Sequence, residues 1–182
     1  QTWTTVTASV ALPAGQQVLT LNQDNGGWNI NYLMFASAGT GGGGTSTNLA
    51  AGAPTSESSH TGGYPSSNVT DTDQNTYWES ANNAFPQWVQ VDLGSAQSAS
   101  RIVLQLPATW GARTQTLSIL GSTDGTNFTT TKASAGYTFD PASNNTVTIP
   151  ITATTQRYFR VNVTANNGWS SGQVSSFQVW NS

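Results

Sequence analysis

Cysteine is absent from the 182-residue chain, which rules out a disulfide framework and any thiolate metal site. Charge is scarce: 7% of residues are Asp, Glu, Lys or Arg, against about 25% in an average globular domain. With five Lys or Arg and a net charge of -3, the chain lacks the basic groups that neutralise phosphates, so nucleic acid is a poor partner. The same charge balance argues against an anionic membrane surface. No apolar run approaches the ~20 residues of a membrane-spanning helix, and helical periodicity is nowhere sustained. No leader segment is visible, and the chain opens on Gln1 as a processed or trimmed product would.

Catalytic groups are equally thin. His60 is the only histidine, and it lies in the stretch Ser58-Ser59-His60-Thr61-Gly62-Gly63. A serine triad needs a nucleophile, a histidine and an orienting acid, and serines adjacent in so Ser-rich a chain carry little weight. No Gly-x-Ser-x-Gly elbow and no His-x-x-x-His zinc pair occurs. Eight carboxylates would suffice for a glycosidase pair, but Asp71 and Asp73 belong to one turn, and Asp92 and Asp124 stand at strand ends or turns. The expectation is a non-catalytic protein.

What is abundant is neutral polarity from Thr, Ser, Asn, Gln and Gly, together with seven Trp. That composition suits an extracellular sugar-handling protein. Four Asn-x-Ser/Thr sequences, at Asn68, Asn127, Asn144 and Asn162, matter only in a host that glycosylates. Along the chain, residues 1–35 read as three short strands broken at Pro13-Ala14-Gly15 and Asn25-Gly26-Gly27. Residues 36–47, ASAGTGGGGTST, are a flexible linker. From Asn48 to Ser182 the pattern is all β. Strands are expected at 87–93, 101–106, 115–121, 145–149, 157–163 and 173–180, with turns at Asp124-Gly125, Asp140-Pro141 and Asn167-Gly168.

Many short strands and no helices predict an antiparallel β-sandwich preceded by a short N-terminal β segment. The expected core comprises Val89, Val91, Leu93, Ile102, Leu104, Leu117, Ile119, Val147, Ile149, Phe159, Val161, Val163, Phe177 and Val179, with Trp78 and Trp88 beside it. Tyr137 and Phe139 are expected to cover the sandwich edge.

One stretch organises the rest. Asp71, Asp73, Gln74, Asn75 and Thr76 form an oxygen-rich turn, and Gln87-Trp88-Val89-Gln90-Val91-Asp92-Leu93 follows as a strand with period-2 alternation, ended by Gly94. Clustered carboxylate, amide and hydroxyl oxygens suit a hard cation such as calcium. The alternative is an Asx-rich turn that satisfies its own backbone.

The order Asp71-x-Asp73-x-x-Thr76-x-Trp78, then Gln87-Trp88-Val89-Gln90-Val91-Asp92-Leu93-Gly94, resembles the discoidin domain. This is the fold of coagulation-factor C-type domains and of carbohydrate-binding module family 32, a galactose-binding-like jelly roll. The resemblance runs from about Asn48 to Trp180. It implies a structural calcium with Asp71, Asp73 and Thr76 among its ligands. The family's acidic residue before the aromatic of the last strand is replaced here by Ser176, which weakens that expectation. Trp3-Thr4-Thr5-Val6, Leu12-Pro13-Ala14-Gly15 and Gly26-Gly27-Trp28-Asn29-Ile30-Asn31 resemble the C-terminal end of carbohydrate-binding module family 6. That resemblance implies that Asn29 belongs to an incomplete sugar site.

Sugar binding needs flat rings for the apolar face of a pyranose and forked polar groups for its hydroxyls, both on loops held by a rigid scaffold. Four loops mix the two. They supply His60 and Tyr64; Asn82 beside Glu79 and Phe85; Trp110 and Arg113; and Trp169 at the Asn167-Gly168 turn tip. In the discoidin family the loops at one end form the ligand site, and the resemblance implies that these four converge.

The expected function is therefore a non-catalytic carbohydrate-binding module that targets a secreted, bacterial glycoside hydrolase to a polysaccharide. The low charge points to a neutral glucan, 1,3-linked by analogy, or a galactan. The module would be a monomeric part of a larger multidomain chain. The competing classes are a protein-binding adhesion domain, which would show apolar spikes without a polar ring, and a ligand-free spacer, in which Trp110, Arg113 and Trp169 pack on one another.

Overall fold

The computed structural model describes residues 46–181, together with Gly26 and Gly27. The chain divides into two units, Gln1–Thr45 and Ser46–Ser182. The three strands expected over residues 1–35, Asn29 and most of the Gly-rich linker lie outside the described residues.

The second unit is built from eight antiparallel strands: β1 (Thr55–Glu57), β2 (Trp78–Glu79), β3 (Gln87–Gln105), β4 (Arg113–Ser122), β5 (Thr129–Phe139), β6 (Thr146–Asn166), β7 (Gln173–Val174) and β8 (Ser176–Trp180). The main sheet runs β1-β3-β6-β4-β5, and β8 pairs with the other half of β3. Two strands foreseen as four are continuous here. β3 spans both 87–93 and 101–106, and β6 spans both 145–149 and 157–163.

The reason lies in the register of β3 on β6, which shifts between Asp92 and Gln97 and again between Ala99 and Arg101. Such irregularities bend a strand so that its two halves serve both layers of a sandwich. The first half of β3 pairs with β1, and the second half pairs with β8. β5 was not foreseen. Its sequence Thr-Thr-Thr-Lys-Ala-Ser-Ala-Gly-Tyr-Thr-Phe buries only Phe139, so it is an edge strand with no apolar alternation to reveal it.

The core follows the alternation. Val89, Val91, Ile102, Leu104, Leu117, Ile119, Ile149, Phe159, Val161, Val163, Phe177 and Val179 are buried, as is Trp78. Leu93 and Val147 are partly buried against this cluster. Phe139 is fully buried rather than an edge cover, while Tyr137 is partly buried.

Trp88 departs from expectation. It is half-buried, on the opposite face of β3 from Val89 and Val91, where the Arg160 guanidinium lies 3.8 Å from its ring centroid. Period-2 alternation demands this, since the neighbours of an inward-facing residue point out.

Candidate functional site

The short ribbon of β2 and β7 is the anchor of one end of the molecule. Trp78 pairs with Val174, and Glu79 with Gln173. Trp78 is held inside, its indole N–H donating to the Ser59 carbonyl at 2.9 Å. Gly172 permits close approach, because a Cβ there would lie 3.3 Å from the Trp78 ring.

From this ribbon, backbone hydrogen bonds gather the surrounding loops. Thr61 N–H donates to the Glu79 carbonyl and Glu79 N–H to the Tyr64 carbonyl. Ser80 N–H donates to Gly172, Asn83 N–H to Ser170, and Asn167 N–H to Thr114. The four loops singled out in the sequence thus meet along one rim.

The side chains on this rim form a connected series. The Tyr64 and Tyr77 rings stack, with centroids 4.4 Å apart and planes 15° apart. Tyr77 meets Trp110 edge-on at 4.6 Å. The Arg113 guanidinium lies 4.5 Å from the Trp110 centroid and donates to Gln173 Oε1 at 2.8 Å. Gln173 Nε2 donates to Glu79 Oε2 at 2.7 Å, and Trp169 Nε1 donates to Glu79 Oε1 at 3.2 Å. Asn82 Oδ1 accepts from the Ser170 hydroxyl at 3.1 Å, and His60 Nδ1 lies 2.6 Å from Glu57 Oε1.

These environments differ in kind. Trp169 is 52% exposed and Tyr64 38% exposed, so both rings have free surface. Trp110 and Arg113 are each half-buried and mutually packed, as the spacer reading required of them, whereas Trp169 donates to Glu79 and keeps half its surface exposed. Burial pulls the Arg113 guanidinium below its ordinary pKa, with the Glu79 charge acting in the opposite sense. The Tyr77 hydroxyl is pushed well above its usual range by burial first, then by its hydrogen bond to Tyr64 and by the Tyr64 and Glu79 charges. Glu57 Oε2 is buried without a hydrogen-bond partner.

Several members of this rim carried no motif. Tyr77, Gln173 and Asn145 are neutral residues in ordinary contexts. Asn145 is fully buried, and its amide donates to the carbonyls of Pro107 and Trp110 at 2.8 and 2.9 Å, holding the Trp110 loop. Glu79 had one usable signal: Glu57 and Glu79 are the only glutamates in the chain, and both stand at this end.

The oxygen-rich turn is a separate region. Asp71 Oδ1 accepts from Asp73 N–H at 2.9 Å, and Asp73 Oδ1 accepts from Asn75. The Thr76 hydroxyl lies 2.6 Å from Asp71 Oδ2 and 3.0 Å from the Asp73 carbonyl. Carboxylate, carbonyl and hydroxyl oxygens therefore meet at one point, a donor set that fits a hard cation in kind. The neighbouring cavity is lined by Asn48, Thr70, Thr72, Gln74, Gln105 and Ser176 among others, all neutral. Among the described residues no three His, Cys, Asp or Glu side chains form a metal-holding group.

Comparison with known proteins settles the family. The F5/8 type C domain description matches residues 53–177. The chain belongs to the F5/8 type C, or discoidin, family.

Its second unit is similar to solved carbohydrate-binding modules. One is chitosan-binding module 1 derived from a chitosanase/glucanase of Paenibacillus sp. IK-5. It is 32% identical with a TM-score of 0.60, and the match covers 73% of this chain and 98% of that one. Chitosan-binding module 2 of the same enzyme, in complex with chitotriose, is 31% identical with a TM-score of 0.58, covering 72% and 98%. The family 32 module of C. perfringens NanJ, in complex with galactose, shares the fold at 22% identity, with a TM-score of 0.62 and coverage of 75% and 98%. No curated protein matches the chain. The fold is thus the all-β discoidin fold, and the domain resembles non-catalytic carbohydrate-binding modules. Among the described residues no helix is long and apolar enough to cross a membrane.

Proposed function

We propose that this discoidin domain is a non-catalytic module that binds an amino-glycan of the chitosan type, and that its rim of four loops is the binding site. The carrying observation is that the only two glutamates of a charge-poor chain, Glu57 and Glu79, both stand on the rim that exposes Trp169 and Tyr64. A protonated amino sugar presents an apolar ring face and an ammonium donor. Aromatic faces suit the first, and carboxylates, which accept at both oxygens, suit the second. Glu79 is buried, 6% exposed, and accepts one hydrogen bond at each oxygen, from Trp169 and from Gln173, so a ligand donor would reach it only from the solvent side of Trp169.

The neutral glucan or galactan expected from overall charge gives way here to the local charge, since a ligand feels the groups within a Debye length rather than the mean composition. The similarity at 31–32% identity to two modules named as chitosan-binding supports the same ligand class. The adhesion reading required apolar spikes without polar surroundings. Here Trp169 touches Glu79, and its neighbour Ser170 touches Asn82.

In this reading the module serves a secreted bacterial polysaccharide-degrading enzyme, raising its local concentration on a polymer. Asp71, Asp73 and Thr76 would hold a structural calcium, whose charge would tie the turn's oxygens together. Removing it with a chelator should lower the melting temperature; an unchanged melt excludes the ion.

The binding test is affinity electrophoresis of the full chain against chitosan, chitin, laminarin and galactan. Chitosan should retard the parent most, and retardation should fall with rising salt. Trp169→Ala should lose about tenfold or more in affinity, as a central aromatic contact does, while melting like the parent. Equal retardation by galactan and chitosan would overturn the amino-sugar reading.

A further inference from the structure

Tyr64 and Trp169 are the two exposed large hydrophobic side chains among the described residues. Isolated exposed rings are ordinary, but these two flank a single residue. The Tyr64 carbonyl accepts from Glu79 N–H at 3.2 Å, and the Trp169 indole donates to the Glu79 carboxylate at 3.2 Å.

Their supports also differ from that of Trp110. Tyr64 lies nearly parallel on Tyr77, with 15° between planes. One of its faces is therefore covered, while the residue as a whole stays 38% exposed. Trp110, the ring the sequence put forward for stacking, is occupied by Arg113 and by the edge of Tyr77. Trp110 is backing; the surface it supports belongs to Tyr64.

We infer that Tyr64 forms a second stacking subsite, and that the rim reads a chain of sugars passing from Trp169 across Glu79 to Tyr64 rather than a single terminal unit. This rests on the amino-glycan reading of the same rim. Two exposed rings on loops joined through the Glu79 backbone and side chain match a polymer in which apolar ring faces recur. A single sugar satisfies only one face and the carboxylate. Tyr64 also belongs to the loop that carries His60. The ring needs no rearrangement to bind, because stacking on Tyr77 has already restricted it, and pre-organisation lowers the cost of association.

The experiment is isothermal titration of the full chain with glucosamine, chitobiose and chitotriose, for the parent, Tyr64→Ala, Tyr64→Leu and Tyr64→Trp. Leucine keeps an apolar cover over Tyr77 without a flat π face, so it serves if the alanine variant fails to melt cooperatively. The parent should gain about tenfold or more in affinity from glucosamine to chitotriose. Both truncations should lose most of that gain, and Tyr64→Trp should retain it.

A Tyr64→Leu variant that shows the parent's full gain overturns the subsite while leaving the amino-glycan reading intact. A gain from chain length that is absent in the parent also overturns it. A parent that binds none of the series, or whose binding is unaffected by Trp169→Ala, removes the amino-glycan reading of this rim and the subsite with it.

Discussion

Two of the arginine–aromatic clusters on this domain are built from the same chemistry and put to different use. On the outer face of the main sheet, Arg160 lies 3.8 Å from the centroids of both Trp88 and Phe128 and donates twice to Gln90 Oε1, at 3.1 and 2.8 Å. At the rim, Arg113 lies over Trp110 and reaches Gln173, which reaches Glu79 and, through it, the exposed Trp169.

The sheet cluster is anchored on three strands or their connections and spends its π faces on one cation. The rim cluster ends in a ring that remains half open to solvent, held by a buried carboxylate that accepts from it and from Gln173. Partial burial lowers both guanidinium pKa values, yet only Arg113 has a carboxylate nearby that offsets the loss. A tryptophan paired with an arginine is thus no functional signature; what matters is whether the series of contacts closes on itself or terminates at the surface.

The contrast can be broken experimentally. Arg160→Ala should have the largest effect on folding. Losing cation–π contact with two partly buried rings, together with the packing of its aliphatic stem, should cost about 1–2 kcal/mol, read from urea unfolding. Retention on chitosan should be unchanged. Arg113→Ala should show the reverse weighting: a several-fold loss of binding with less than about 1 kcal/mol of stability. If Arg160→Ala abolishes retention while the domain stays folded, the two clusters have been assigned the wrong way round.

Gly168→Ala sharpens the comparison. A Cβ at that position would sit 2.7 Å from Arg113 Cβ, closer than real atoms approach, so the Trp169 turn or Arg113 must shift. Binding should weaken in proportion to that displacement, whereas Gly111→Ala, with open space around its Cβ, should not disturb the rim by steric contact.

The smallest effect concerns the sheet side. Arg157 binds Asp92 through two hydrogen bonds of 2.7 and 2.8 Å, and this, ahead of the opposing burial and the Gly94 N–H bond, holds the Asp92 carboxyl below its ordinary range. A depressed carboxylate pKa contributes stability above its unfolded value, and that contribution is lost as the pH falls below about 4 through the folded value. Because the Arg157 side chain is 39% exposed, solvent screening limits the effect to less than about 1 kcal/mol. Asp92→Asn should flatten that part of the acid limb of the stability profile and leave rim binding alone.

Much of the scaffold is written in local pattern. Alternation in Gln87–Leu93 and in Ile102–Leu106 names the buried residues because side chains on a strand change face at every step, whatever the partner strand. The ordered turn-and-strand motif identified the family for the same reason, since both parts are contiguous. Edge strand β5 was illegible because an edge exposed on most of its length needs no apolar rhythm. The continuity of β3 and β6 was illegible because register shifts, which depend on a partner, bend them.

The rim lies at the other extreme. Glu79 meets Gln173 across 94 residues of sequence and Trp169 across 90, and Asn145 fixes the Trp110 loop across 35. Residue types alone nominated His60, Tyr64, Asn82, Trp110, Arg113 and Trp169 as candidates, since few side chains offer flat or forked surfaces. Which of those rings stays open and which is spent on packing depends on neighbours that chain folding brings from far away. Trp110 is covered by Arg113 while Trp169 is left open, and no local rule ranks the two, because burial is a property of the whole contact set and not of a residue or its sequence neighbours.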